Sequence, residues 1–78
     1  IFYYPNPTKG EVDVFVNGED RGVKMSVFTT KGDLVFTRDQ DILDTRKTEI
    51  DLTGVPAGTY LVTLEGPTVR KTFKIVKR

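Results

Sequence analysis

Apolar and polar side chains alternate in short runs along almost the whole chain, and this two-residue period is the strongest constraint on the fold. Such alternation predicts β-strands that bury one face, whereas a helix would place its apolar residues three or four positions apart. The residues that share a predicted buried face are Val12, Val14 and Val16; Val23, Met25 and Val27; Leu34 and Phe36; Ile50 and Leu52; Tyr60, Val62 and Leu64; and Val69, Phe73 and Ile75. The chain is therefore predicted to consist almost entirely of strands.

Turn-forming residues separate these runs. The predicted turns lie at residues 17–20 (NGED), 31–33 (KGD), 54–58 (GVPAG) and 66–67 (GP). Glycine provides the positive φ that some turns need, and proline restricts φ to turn-compatible values. Together with a short first strand from Phe2 to Tyr4, this punctuation predicts about seven strands. The stretch from Asp39 to Asp44 is short and acidic, so we predict a loop or a single turn there.

The predicted fold class is all-β: a small Ig-like antiparallel β-sandwich of about seven strands, with residues 1–78 forming one domain. A partly open barrel is the alternative architecture. A domain of 78 residues buries only about 60% of the surface that its unfolded chain exposes, so we expect modest stability.

The residue types exclude most catalytic chemistry. The chain contains neither cysteine nor histidine, so it lacks thiolate ligands and the commonest general base. We therefore predict no catalytic residue, no cofactor and no metal site, and we do not expect an enzyme. Asp39, Asp41 and Asp44 could offer oxygen ligands to calcium, but the stretch lacks the glycine and the terminal glutamate of an EF-hand loop. A solvated acidic loop is the favoured interpretation.

The formal net charge of +1 conceals an uneven distribution. Residues 1–65 carry seven basic and eleven acidic side chains, whereas residues 66–78 carry five basic side chains and no acidic one. The near balance over the whole chain disfavours nucleic-acid binding, and no apolar run is long enough to predict membrane insertion. The basic segment has a structural interpretation, because lysines on an edge strand protect against edge-to-edge aggregation.

Four segments carry the most specific pattern in the sequence. They are residues 4–10 (YPNPTKG), 32–35 (GDLV), 50–62 (IDLTGVPAGTYLV) and 74–77 (KIVK). Together, in this order and spacing, they resemble the C-terminal sorting domain of the type IX secretion system. The resemblance covers the length of the chain.

The resemblance implies a function as a targeting signal. Residues 1–78 would be the sorting domain of a longer protein, covalently preceded by a cargo domain, which it directs through the periplasm and across the outer membrane to the cell surface or the medium. The implied partners are the outer-membrane translocation machinery and a surface sortase. The sortase commonly removes the domain as the cargo is attached to the cell surface.

The resemblance also implies roles for residues at the matched positions. The implied recognition residues, at a chain end expected to be accessible, are Lys74, Val76, Lys77 and Arg78. The implied structural residues are Pro5, Asn6, Pro7, Gly10, Gly32, Asp51, Pro56, Gly58 and Tyr60. The two prolines are expected to give an extended approach to the first long strand, and the first two of these glycines are expected to allow turns. Tyr60 is expected to be partly buried, with a hydroxyl that needs a partner.

A second class of function remains open from the sequence. An Ig-like module of a secreted enzyme can bind carbohydrate or protein, and exposed aromatic side chains would provide the binding surface. The candidate aromatic residues are Phe2, Tyr3, Phe15 and Phe28. Packing in the core or against another domain is the favoured use of these residues, because they lie in or beside predicted strands.

Overall fold

Seven strands follow the alternating runs of the sequence in a computed structural model that describes residues 2–16, 18, 20–42 and 46–78. The strands are β1 (Phe2–Tyr4), β2 (Glu11–Phe15), β3 (Asp20–Thr29), β4 (Leu34–Ile42), β5 (Lys47–Asp51), β6 (Gly58–Glu65) and β7 (Arg70–Lys77). The predicted number of strands and the short first strand are confirmed. The predicted turn at residues 17–20 includes Asn17 and Glu19, which lie outside the described residues.

The strands form two antiparallel sheets. The smaller sheet has the order β1-β2-β5, and the larger sheet has the order β4-β3-β6-β7. This arrangement confirms the predicted small Ig-like sandwich rather than a partly open barrel. The described residues contain no helix of the length and hydropathy needed to cross a membrane.

One hydrophobic core lies between the two sheets. The smaller sheet and the residue after it contribute Val12, Val14, Ile50 and Leu52. The larger sheet contributes Val23, Met25, Val27, Ile42, Tyr60, Val62, Leu64 and Ile75. All but Tyr60 are fully buried, so the alternation in the sequence identified the core-facing side of most strands. The predicted shared face of Leu34 and Phe36 was wrong, because a register shift between Val27 and Phe28 leaves Leu34 55% exposed on the outer side, whereas Phe36 packs against the core. Val16 is half-buried just beyond the end of β2.

The prediction of a loop from Asp39 to Asp44 was wrong at its start. Asp39 and Asp41 belong to β4, which continues to Ile42 and pairs that residue with Asp20. Asp44 lies outside the described residues. The strand is hard to recognise in the sequence because the polar residues Arg38 and Gln40 continue the inward side that begins at Phe36. Both meet β5 instead: the Arg38 guanidinium donates to the Glu49 carbonyl, and Gln40 Oε1 accepts a 2.7 Å hydrogen bond from the Thr48 hydroxyl.

Asp20 fixes the turn between β6 and β7. Its Oδ2 accepts hydrogen bonds from the Thr68 N–H at 2.8 Å and the Thr68 hydroxyl at 3.0 Å, and from the Val69 N–H at 3.2 Å. The Thr68 N–H is the largest cause that holds the pKa of Asp20 below its ordinary value, because these bonds favour the ionised carboxylate. The turn that presents β7 therefore depends on a carboxylate 48 residues earlier in the chain.

The lowered pKa of Asp20 predicts how stability depends on pH. Its carboxylate stabilises the fold above the ordinary pKa near 3.8, and this contribution is lost as the pH falls through the lower folded-state pKa. We expect Tm to fall as the pH drops below about 5, with most of the loss below the ordinary pKa of 3.8. An Asp20→Asn variant should be less stable at neutral pH and show a smaller fall, measured by thermal unfolding with circular dichroism. An equal fall in the two proteins would contradict this role.

Candidate functional site

The predicted recognition residues belong to β7, which forms one edge of the larger sheet and pairs only with β6 among the described strands. Successive side chains of a strand face opposite sides. Phe73 and Ile75 face the core, whereas Lys74 and Val76 face outward. Arg78, just beyond the strand, is exposed. Three of the four candidates therefore lie on the outer side of β7.

Lys77 is the exception, because its side chain is only 9% exposed. It points to the same side as Ile75, and its ammonium group donates hydrogen bonds to the carbonyls of Thr53 and Val55. The expected accessibility of the chain end thus applies to Lys74 and Arg78 but not to Lys77. A substitution at Lys77 would disturb the loop before β6 as well as β7.

The segment from Asn6 to Thr8, called the Asn6 segment below, covers part of the free edge of β7. The Asn6 side-chain amide donates to the Lys74 carbonyl at 3.3 Å and accepts from the Val76 N–H at 2.8 Å. The backbone of Thr8 continues this pattern, donating to the Val76 carbonyl and accepting from the Arg78 N–H, both at 2.8 Å. Thr8 and Lys77 consequently form a parallel β-bridge. Two successive steps of the β7 edge are therefore occupied by the start of the chain.

The prolines beside Asn6 do not give the extended approach that was predicted. The chain bends at Asn6 and Pro7, and the peptide bonds before Pro5 and Pro7 are both cis. Proline has no backbone N–H, so between the two prolines the Asn6 side-chain amide supplies the donor to β7, and the Thr8 N–H follows it. Gly10 lies where the chain leaves the segment, and a Cβ there would be only 2.6 Å from Thr53 Cγ2. Its small size is needed for this close approach.

Two of the remaining motif residues lie in a turn or at the start of a loop. Gly32 has φ of 94° in the turn between β3 and β4, a conformation that favours glycine. Asp51 ends β5, and its Oδ1 accepts hydrogen bonds from the Thr53 hydroxyl at 2.7 Å and the Thr53 N–H at 2.9 Å. The hydroxyl bond is the largest cause that lowers the pKa of Asp51. Gly32 thus shapes the β3–β4 turn, and Asp51 shapes the loop whose Thr53 carbonyl accepts from Lys77.

The last motif residues form the corner that leads into β6. The hydroxyl of Tyr60 donates to the carbonyl of Pro56, an arrangement known in Ig-like sandwiches as a tyrosine corner. This bond supplies the partner that the buried hydroxyl was expected to need. Gly58 begins β6 and lies opposite Lys77, so the corner is in register with the end of β7.

An outer apolar row, formed by Leu34, Phe28 and Leu61, leads across the larger sheet to Lys74. The strand registers pair Leu34 with Phe28, Phe28 with Leu61, and Leu61 with Lys74. Leu34 is 55% exposed, and Phe28 and Leu61 are half-buried. The GDLV segment and the KIVK segment are separated by 38 residues in the sequence, yet this row joins them on one face.

The four candidate aromatic residues do not share one surface. Tyr3 faces inward and stacks on Phe73, with 4.3 Å between ring centroids. Phe2 and Phe15 stack at 5.0 Å on the outer side of the smaller sheet, where Tyr4 joins them. Phe28 lies on the larger sheet instead. These positions divide the proposed binding platform between two sheets and the core.

Sequence reasoning missed the contact of Asn6 with β7 and the inward orientation of Lys77. For Lys77 a signal was available, because Phe73 and Ile75 already fix which positions of β7 face inward. For Asn6 the clue was weaker: an amide between two residues that have no N–H. No pattern in the sequence marks Asp20 as the partner of Thr68.

The candidate calcium ligands do not form a site among the residues that the structure describes. Asp39 and Asp41 lie on the edge strand β4, and Asp41 pairs with Arg21 at 3.7 Å. No group of three acidic side chains in the described part of the chain is placed to hold a metal ion.

Comparison with known proteins agrees with the arrangement of the motifs. The model of a family described as the secretion system C-terminal sorting domain matches residues 3–78, and no curated protein matches the chain. The match does not favour the alternative of a carbohydrate- or protein-binding module. A sorting-signal domain of this kind is not itself catalytic, and it directs export to the cell surface or the medium. The chain belongs to the family of C-terminal sorting domains of the type IX secretion system.

Proposed function

We propose that the translocation machinery of the outer membrane recognises the outer side of β7, through Lys74, Val76 and Arg78. The observation that carries this proposal is the common orientation of their side chains on the outer face of β7. The fourth candidate, Lys77, would contribute by holding the loop before β6 in place. The machinery and a preceding cargo are implied by the family; the residues are our assignment.

The outer apolar row extends the proposed recognition surface. Lys74 lies beside Leu61 at the end of the row, and Val76 follows on the same face. Apolar side chains surrounded by charges are typical of protein interaction sites. The exposed Leu34 at the far end would bring the GDLV segment into contact with the same partner.

The route of the cargo forms the second part of the proposal. Residues 1–78 would act as one folded sorting domain behind a cargo domain, cross the periplasm with it, and be cleaved by a surface sortase. The Asn6 segment supports this view, because it ties the start of the domain to its last strand. A domain whose start is tied to its last strand would present the same β7 surface for recognition, whatever cargo precedes it.

A reporter fusion tests the function of the whole domain. Residues 1–78 are placed behind a signal peptide and a reporter, in a host with the type IX machinery and in the same host without it. The reporter is expected at the surface or in the medium only in the first host. Retention in the periplasm of both hosts would refute the proposal.

A further inference from the structure

The free edge of β7 is only partly covered. The groups bonded by the Asn6 segment are the carbonyls of Lys74 and Val76 and the N–H groups of Val76 and Arg78. Peptide groups of successive residues face opposite edges of an antiparallel strand, so those of every second residue share an edge. Thr72 therefore faces the same edge as Lys74 and Val76. Within the part of the chain that the structure describes, no group bonds to the peptide of Thr72 or to the Lys74 N–H.

Basic side chains surround these unpaired peptide groups. Arg70, Lys71 and Lys74 flank Thr72, and all three are exposed. Residues 66–78 carry no acidic side chain. An extended segment that pairs with this edge would find backbone donors and acceptors in the strand and cations beside it. Acidic side chains complement that combination.

A second copy of the chain fits this edge less well. Pairing β7 with another β7 would bring cations together, which opposes association. The other free edge of the larger sheet, β4, is acidic, but its pairing with β3 contains two register shifts. Such irregularities hinder edge-to-edge pairing.

We infer that the open part of the β7 edge, at Thr72 and Lys74, binds an extended acidic segment of the secretion machinery by strand addition. The inference rests on the proposed recognition of β7 and specifies its form. The Asn6 segment would set the limit of the added strand, because it already occupies the edge from Lys74 to Arg78. Main-chain hydrogen bonds would give affinity, and the cations would select acidic partners.

Proline at position 72 tests strand addition with little effect on the fold. The Thr72 N–H faces away from β6, so Thr72→Pro removes a donor that the sheet does not use. We expect the variant to remain folded by circular dichroism and to export the reporter fusion at least about tenfold less. Thr72→Glu retains the N–H but should also reduce export by repelling an acidic segment.

Two controls accompany these variants. Thr72→Val keeps the N–H and the charge, and it should export normally. Asp39→Pro places proline at an outward-facing position of β4, the opposite edge of the sheet, and it should also export normally. Normal export of Thr72→Pro would overturn the inference, as would an equal loss in Asp39→Pro. If Thr72→Pro does not fold, equal export of Thr72→Glu and Thr72→Val would overturn it.

The outcomes also separate this inference from the proposed function. If Thr72→Pro exports normally while charge reversal at Lys74 and Arg78 blocks export, strand addition is refuted and recognition of β7 remains. If neither change affects export, both fail. Sedimentation of the purified domain tests whether a second copy of the chain binds this edge instead. A dimer that Thr72→Pro dissociates, with export unchanged, would identify a second copy and overturn the inference.

Discussion

Charge reversal at Lys74 and Arg78 is expected to reduce export of a reporter fusion roughly tenfold or more. Both side chains are exposed on the outer side of β7, and the contacts they make with the Asn6 segment use their backbone groups. The Lys74→Glu/Arg78→Glu variant should therefore keep its stability to within about 0.5 kcal/mol. Export is measured by the reporter at the surface and in the medium, and stability by denaturant unfolding.

This substitution also distinguishes recognition from protection against aggregation. Glutamate is charged and protects an edge strand as lysine does, so a purely protective role predicts normal export. A Lys31→Glu/Arg46→Glu variant provides the matched control, because it changes the net charge by the same amount at exposed positions away from β7. Normal export of the Lys74/Arg78 variant, or an equal loss in the control, would contradict the assignment.

Replacement of Ile75 by alanine is expected to cost about 2–5 kcal/mol of unfolding free energy. Ile75 is fully buried and lies opposite Tyr60, so truncation leaves a cavity between β7 and the smaller sheet. A domain of this length has a total stability of roughly 4–12 kcal/mol. The loss is therefore a large fraction of the whole, and urea unfolding measures it directly.

Val76→Ala is the matched comparison for Ile75→Ala. Val76 is half-buried on the outer side, so its truncation should cost less than about 1 kcal/mol. A loss below about 1 kcal/mol for Ile75→Ala would contradict its place in the core. The pair also shows why deletion of the last five residues is a poor test of recognition. Such a deletion removes the buried Ile75 and Lys77 together with the three outward candidates, so a loss of export would not separate recognition from unfolding.

The sequence predicted the strands best where one face is uniformly apolar. In β6, Tyr60, Val62 and Leu64 are all buried as their spacing indicates. The prediction failed in β4, where polar residues take inward-facing positions and bond to the neighbouring sheet. A period of two identifies a strand only when burial, rather than hydrogen bonding, selects the residues.

The candidate site was predicted as a segment, but its organisation was not. The basic ending and its resemblance to the sorting domains pointed to β7. The division between outward Lys74 and buried Lys77 depends on which side of the strand meets the core. The contact of Asn6 with β7 depends on a hydrogen bond between residues 70 positions apart. Such contacts arise only when the first and last strands meet in the folded domain.

By itself, the sequence determined the all-β class, the absence of histidine and cysteine chemistry, and the motifs that mark the family. These follow from residue types and local spacing. The tertiary structure decided which cations are accessible, which part of the β7 edge is covered, and which motifs share a face. Those properties depend on how the two sheets pack and on hydrogen bonds between distant parts of the chain, and local spacing does not specify them.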